Sequence, residues 1–382
     1  MKQEIINYLV SIEEDIYKIS KYLYENPEES FCEHKAYNYL ISILKSNNFN
    51  IQENFLDIPT AFMAQFGEGH PKICYICEYD CSCKQGHILG TNLVSSMAIG
   101  AALGLSKVIP KIGGSVVVIG CPGEFLSGSK VTMTKQGVFE DMDAVLMAQP
   151  SIINANCCTS PAVLPIKITY ACNDTSCFKV ANGFSAFDAS LFTLNSINTI
   201  LKGYPKDCSI DKISIDGDLV PHILTKNIQT CFSIKAPSLD IAEEIRNKIT
   251  NFTNILDELM GVSSEVTLSQ VPYENFKANS TLCRIFSHNL KEVGIIDIAD
   301  EVDLPYGLSL GNVSHMVPTL RYLVKITDDK SIEYACQAFG KATISPFARN
   351  KVLDTVKALA NTGLDLIQQQ NLLSEAKSEL HK

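Results

Sequence analysis

The sequence predicts an α/β protein: an α/β domain on a mixed sheet, carrying an inserted ferredoxin-like α+β unit. Three observations predict it. Short apolar runs at 61–66, 73–78, 115–120 and 144–148 alternate with helical patterns at 92–108 and 126–137, the rhythm of buried strands separated by helices. From residue 164 the order becomes strand, helix, strand, strand, helix, strand, the split pattern of a ferredoxin-like unit. The chain has 382 residues, enough for two domains or for one with a sizeable insertion.

Residues 4–46 carry apolar side chains at helical spacing, interrupted at Asn26-Pro27, so two helices are expected there. The four strands that follow are apolar on both faces, as strands covered on both sides must be. In open sheets of this kind ligands lie at the carboxyl ends of the strands, so chemistry is sought after Glu78, Gly120 and Ala148. In the inserted unit, strands are expected at 164–171, 209–215, 227–236 and 263–270. Its helices are expected at 183–202, opened by Asn182-Gly183, and at 239–259. The chain then returns to helices at 276–293 and 350–370, with an irregular Gly-rich stretch at 304–315. Residues 1–163 and 275–382 thus form one discontinuous domain, and 164–274 a lid or dimerisation module. No fixed-period repeat interrupts this order.

Composition narrows the function classes. Lys and Arg number 32 against 42 Asp and Glu, a formal charge of −10, which leaves no basic field for nucleic acid or an anionic membrane. Met1 to Asp15 interleaves acids with apolar residues and contains no signal-peptide core, and no stretch approaches the roughly 18 apolar residues of a membrane span. A cytoplasmic, reducing setting is expected, with most of the 14 Cys acting as small buried hydrophobes. Cys74, Cys77, Cys81 and Cys83 suggest a metal cluster, yet the first two lie three apart on a strand and point to opposite faces. Only Cys81, Cys83 and Cys121 could converge on an ion; core or loop thiols are the simpler reading.

Five stretches carry a resemblance. They are Tyr24-Glu-Asn-Pro-Glu-Glu-Ser-Phe-Cys-Glu33, Glu78-Tyr-Asp-Cys-Ser-Cys-Lys-Gln-Gly-His-Ile-Leu-Gly-Thr-Asn92, Gly120-Cys-Pro-Gly-Glu-Phe-Leu-Ser-Gly-Ser-Lys130, Gln149-Pro150 and Gly311-Asn-Val-Ser-His-Met-Val-Pro318. With the inserted unit, where Asn182-Gly-Phe-Ser-Ala-Phe-Asp-Ala189 matches a helix start, they resemble the two-metal zinc amidohydrolases of clan MH. That family includes aminoacylases, carboxypeptidases and aminobenzoyl-glutamate hydrolases. The resemblance implies a zinc-peptidase-like α/β domain, a lid that dimerises, and a site for zinc or another divalent metal.

The same resemblance implies that the metal ligands have changed. A co-catalytic zinc site needs His, Asp, Glu or Cys ligands and an open position for water. The family's Cys and His of the first loop correspond to Leu89 and Thr91. Its Glu-Glu, a general base followed by a ligand, corresponds to Glu124-Phe125. Its later two His correspond to Gln149 and Lys330. No metal or other cofactor is therefore expected. Among substrate positions, the lid's Ala-His-Ala corresponds to Thr175-Ser176-Cys177, a Pro-Asn asparagine to His222, and an arginine to Lys235, which lacks the bidentate fork. Asp80, Asn92, Asn312 and His315 complete the substrate-binding candidates, while His87 reads as a loop-stabilising residue.

Three functions follow as expectations. The first is a catalytically silent relative that binds a small molecule or protein partner in a pocket around Leu89, Thr91, Phe125 and Gln149. The second is a hydrolase or amide-forming enzyme for N-acyl amino acids or short peptides. It would be metal-free, with Glu124 as base, or use a relocated metal on Asp80, Cys81, Cys83, Cys121 and Glu124. The third is a subunit that supports an active paralogue. A homodimer through the lid is expected, with a hetero-oligomer as the alternative.

Overall fold

The computed structural model describes residues 1–82, 84–126, 128–172, 184–217 and 225–380. Three helices open the chain: α1 (Lys2–Ser11), α2 (Glu13–Glu25) and α3 (His34–Ser46). They are followed by β1 (Asn50–Glu53), β2 (Phe62–Glu68), β3 (Lys72–Cys77), α4 (Thr91–Ser106), α5 (Ile109–Ile112), β4 (Gly114–Gly120), α6 (Ser129–Lys135), β5 (Ala144–Ser151) and β6 (Cys158–Thr159). Next come β7 (Ala162–Cys172), α7 (Ala186–Leu201), β8 (Ser209–Gly217), β9 (Asn227–Ala236), α8 (Leu239–Met260) and β10 (Val262–Leu268). The chain closes with α9 (Ser280–Glu292), β11 (Val302–Asp303), α10 (Leu310–Ser314), β12 (Thr319–Lys325), α11 (Gln337–Ala342), α12 (Pro346–Gln368) and α13 (Gln370–Glu379).

Two compact units result: Met1–Thr159 with Lys277–Asp303 and Asn312–Lys382, and Ser160–Phe276 with Leu304–Gly311. The first unit holds a six-stranded sheet in the order β1-β2-β4-β3-β5-β12. β4, β3, β5 and β12 run parallel, and β2 runs against them, antiparallel to both β4 and β1. The carboxyl ends of four strands therefore share one edge. α4 is buried along its whole length, which its Ala, Gly, Ser and Leu content permits. A Cβ at Gly104 would stand 3.0 Å from Leu9, so α1 approaches as closely as a glycine allows.

Three local readings need correction here. The expected pair of N-terminal helices is three, because the helical pattern also breaks at Ile12 (φ −111°, ψ 14°). The expected helix at 126–137 shortens to α6, since Gly128 at φ +66° lies outside helical backbone. β12 was not foreseen: Arg321 and Lys325 dilute its apolar pattern, yet pairing with β5 leaves Arg321 only 4% exposed. The expectation concerned most of the cysteines, and one pair departs from it. Cys157 and Cys283 form a disulfide, while ten other described cysteines are free.

The second unit is a four-stranded antiparallel sheet in the order β10-β7-β9-β8. With α7 and α8, that order is the ferredoxin-like arrangement. Leu164, Ile166, Ile168 and Tyr170 of β7 pack in one core with Ile245, Ile249 and Leu256 of α8. Ser185 opens α7 through a capping box with Asp188, and Ser238 caps α8. The Asn182-Gly183 helix start lies outside the described residues. Most of β8 is exposed, because the strand lies at the sheet edge. Among the described residues no helix is long and apolar enough to cross a membrane.

Candidate functional site

β3 and β4 end side by side, Cys77 opposite Gly120, and the Cys121 amide donates to the Cys77 carbonyl at 2.8 Å. The loops beyond carry Glu78–Asp80 and Cys121–Phe125. This is the strand-end position where an α/β sheet collects chemistry. Between the loops lies Lys130, in the first turn of α6, with a side chain of 0% exposure. Its ammonium donates to Glu78 Oε1 at 2.7 Å and to Glu124 Oε2 at 2.6 Å. Burial opposes the charge, but Glu124 and Glu78 overcome it and raise the Lys130 pKa. Held between two carboxylates, the Lys130 amine is placed as an ion-pair partner and not as a nucleophile.

The segment 28–33 braces these loops. Glu28 accepts from the Lys35 and Ala36 amides at 3.0 and 2.9 Å, covering the open N-terminus of α3. Ser30 Oγ donates to Asp80 Oδ2 at 2.7 Å, and the Phe125 amide donates to the same oxygen at 2.9 Å. Asp80 Oδ1 is buried without a partner among the described residues. Burial lifts the Asp80 pKa to about 7, against the pull of those two donors. Glu33, wholly buried, accepts from Thr60 Oγ1 at 2.8 Å, the Phe31 amide at 2.8 Å and the Gly123 amide at 3.0 Å. Burial raises its pKa as well. Gly123 has φ +82°, and a Cβ there would stand 2.2 Å from the Phe31 ring, so both backbone and space demand glycine.

The five positions where the resemblance expects ligands are distributed as follows. Leu89 is half-buried, and its carbonyl accepts from Gln149 Nε2 at 2.7 Å. Gln149 also donates to the Tyr334 hydroxyl at 3.3 Å. Thr91 Oγ1 donates to the Asp80 carbonyl at 2.6 Å and lies 2.8 Å from His87 Nδ1. His87 Nε2 is 2.9 Å from the Leu23 carbonyl, and burial lowers this imidazole to about 4. Phe125 contributes its amide to Asp80. Lys330 is exposed in the loop after β12, and Tyr334 is the residue of that loop that reaches Gln149.

The substrate-binding candidates separate. Asn92 is buried, donating to Thr343 Oγ1 at 3.0 Å and the Ser20 carbonyl at 3.3 Å, so its amide holds helices together. Lys235, in the second unit, pairs with Asp211 and donates to the Pro305 carbonyl at 2.7 Å. Asn312 and His315 are half-buried in and after α10. Ser176, His222 and Cys83 lie outside the described residues. Cys81 and Cys121 are buried; Cys121 Sγ is 3.9 Å from Met133 Sδ, and burial raises its thiol. Among the described residues no group of three or more His, Cys, Asp or Glu is placed to hold a metal ion.

Sequence reasoning missed Lys130, Ser30, Glu33 and Tyr334 as site residues. Lys130 left one signal: a cation in the first turn of a helix opposes the helix dipole, so it needs a partner of its own.

The mixed sheet, its strand-end loops and the ferredoxin-like unit define an α/β fold that known proteins share. No family model matches the chain. The chain is similar to the Xaa-Arg dipeptidase of Mus musculus, 27% identical over 380 residues, spanning 94% of this chain and 88% of that protein. It is 27% identical over 254 residues to one of the subunits of the p-aminobenzoyl-glutamate hydrolase of Escherichia coli K12, covering 60% of this chain and 53% of that protein. Its fold matches the aminobenzoyl-glutamate utilization protein of Klebsiella pneumoniae at a TM-score of 0.73, with 11% identity, over 94% of this chain and 97% of that one. In sequence and in fold the chain is thus similar to amidohydrolases and metallopeptidases of clan MH.

Proposed function

We propose that this chain is a catalytically silent member of its family, which binds a small molecule or a protein partner on the amidohydrolase scaffold. One observation carries the reading: the Glu124 carboxylate, at the family's general-base position, is ion-paired to the wholly buried Lys130. A carboxylate oxygen that would have to take the proton is held by the Lys130 ammonium at 2.6 Å instead. The donor chemistry supports the same reading, and the residues at the expected ligand positions do not fit a zinc pair. Leu89 and Phe125 have no side-chain lone pairs, the Thr91 proton goes to the Asp80 carbonyl, and the Gln149 amide is committed to Leu89 and Tyr334.

Self-association through the second unit is part of the proposal. The β8 edge exposes Ile213 and Ile215, and α7 exposes Phe187, Leu191 and Phe192. A supporting role beside an active paralogue is the second reading, favoured by a relative that is itself named as one part of a hydrolase. A cytoplasmic setting is supported by the ten free thiols, against one disulfide.

Metal analysis and turnover assays on the purified protein test the proposal together. The expected result is far less than one zinc, manganese or cobalt per chain and no hydrolysis of N-acyl amino acids or dipeptides. Near-stoichiometric metal that is lost in Glu124→Gln, or turnover abolished by that substitution, would overturn it. Light scattering reports the dimer.

A further inference from the structure

Within the first unit, α2 packs on α4, while α3 packs on β1 and β2. Between the two helices a cavity of about 220 Å³ is left open. Its wall is largely aliphatic: Ile12, Ile16 and Ile19 from the α2 side, Ile43 from α3 and Leu103 from α4. Tyr8 of α1 and Tyr39 of α3 add two rings, each held by a neighbour. The Lys107 ammonium lies 4.3 Å from the centre of the Tyr8 ring, and Tyr39 stacks on Tyr22 at 3.9 Å. The polar groups of the wall are already engaged. Lys18 pairs with Asp15 at 2.9 Å, and Ser46 Oγ and the Asn47 amide both donate to the Ile43 carbonyl, at 2.8 and 2.9 Å.

We propose that this cavity binds a small neutral aromatic molecule of one or two fused rings. An apolar cavity of about 150 Å³ admits benzene, so about 220 Å³ leaves room for a second ring. The one cation and the one anion of the wall satisfy each other, so a charged ligand finds no free partner there. Water needs two or more polar partners, and the five aliphatic side chains offer none. A flexible alkyl chain of equal volume would lose rotamer freedom on binding, whereas a fused ring has none to lose. The two tyrosines are fixed before a ligand arrives, so little ordering cost falls on the protein either. No wall residue belongs to the strand-end loops, so the site does not depend on whether the chain hydrolyses anything.

The probe is indole, added to the full-length protein. The chain contains no tryptophan, so indole emission is read without a protein background of the same kind. Saturable binding is expected, seen as a shift of that emission and confirmed by calorimetry. Indole-3-acetate, an anion, and tryptamine, a cation, should each bind about ten-fold or more weakly than indole. Ile43→Phe places a ring inside the cavity and should weaken indole binding by about ten-fold or more. Ser46→Phe adds a ring at the exposed rim, where folding is not at stake, and should weaken binding as well. Circular dichroism confirms that each variant is folded. Indole that does not bind saturably, charged probes that bind as tightly as indole, or affinity unchanged in the folded variants would overturn the proposal.

Discussion

Replacing Asp80 by Asn and His87 by Gln, one at a time, should expose two opposite pH dependences that the wild-type protein conceals. Asp80 titrates near 7 when folded and near its ordinary 3.8 when unfolded. Between those values the native state holds a proton that the unfolded chain has released. Its contribution is fully present below about pH 4 and is lost as pH rises through about 7. A span of about three pH units at about 1.4 kcal/mol each gives about 4 kcal/mol. His87 titrates near 4 when folded and near 6.5 when unfolded. Its contribution is present above about pH 6.5 and is lost as pH falls through about 4, roughly 3.5 kcal/mol in all. The two slopes oppose each other over the same window. Relative to wild type, Asp80→Asn should therefore gain about 4 kcal/mol from pH 4 to 7, while His87→Gln should lose about 3.5 kcal/mol from pH 4 to 6.5. Urea unfolding followed by circular dichroism at half-unit pH steps measures both differences. A difference that stays flat within about 1 kcal/mol for either variant would refute the burial argument for that residue.

Lys130→Met leaves Glu78 and Glu124 facing each other without their cation, and should destabilise by about 3–5 kcal/mol at pH 7. Adding Glu124→Gln to that variant should recover part of the loss, read by denaturant midpoint. Gly123→Ala should cost about 1–3 kcal/mol through its positive φ and its clash with Phe31, and Phe31→Ala should relieve the clash only. Alkylation of the native protein should modify exposed Cys32 first and leave Cys77, whose burial pushes its thiol up to about 12, unmodified by mass spectrometry. The same peptide map without reductant should contain the Cys157–Cys283 linked pair.

The fold was legible because burial on two faces leaves continuous apolar runs, as in β3, β4 and β5, and because the inserted unit follows one strand-and-helix order. β12 was not, since its Arg321 is buried by partners distant in sequence and no local pattern encodes that. The site was half legible. The second and third motif stretches pointed to the strand-end loops, and their order placed Asp80 and Glu124 there. What joins them was hidden: Lys130 sits six residues beyond Glu124 and Glu33 ninety residues before Gly123, and only the folded backbone brings those groups within hydrogen-bonding reach. Asn92 illustrates the reverse error, a polar side chain at a promising position that turns inward to hold α2.

The late return of β12 to the sheet has a consequence for biosynthesis. β5 emerges from the ribosome long before residues 319–325 exist, and until they arrive its outer edge is an unpaired row of amides and carbonyls. Meanwhile all four strands and both helices of the second unit, from β7 to β10, have already been translated. The nascent chain thus completes an interior segment while the sheet that surrounds it in sequence still waits for its last strand. Truncation before 319 would leave that edge open permanently, a template for pairing with other chains rather than a shortened version of the protein.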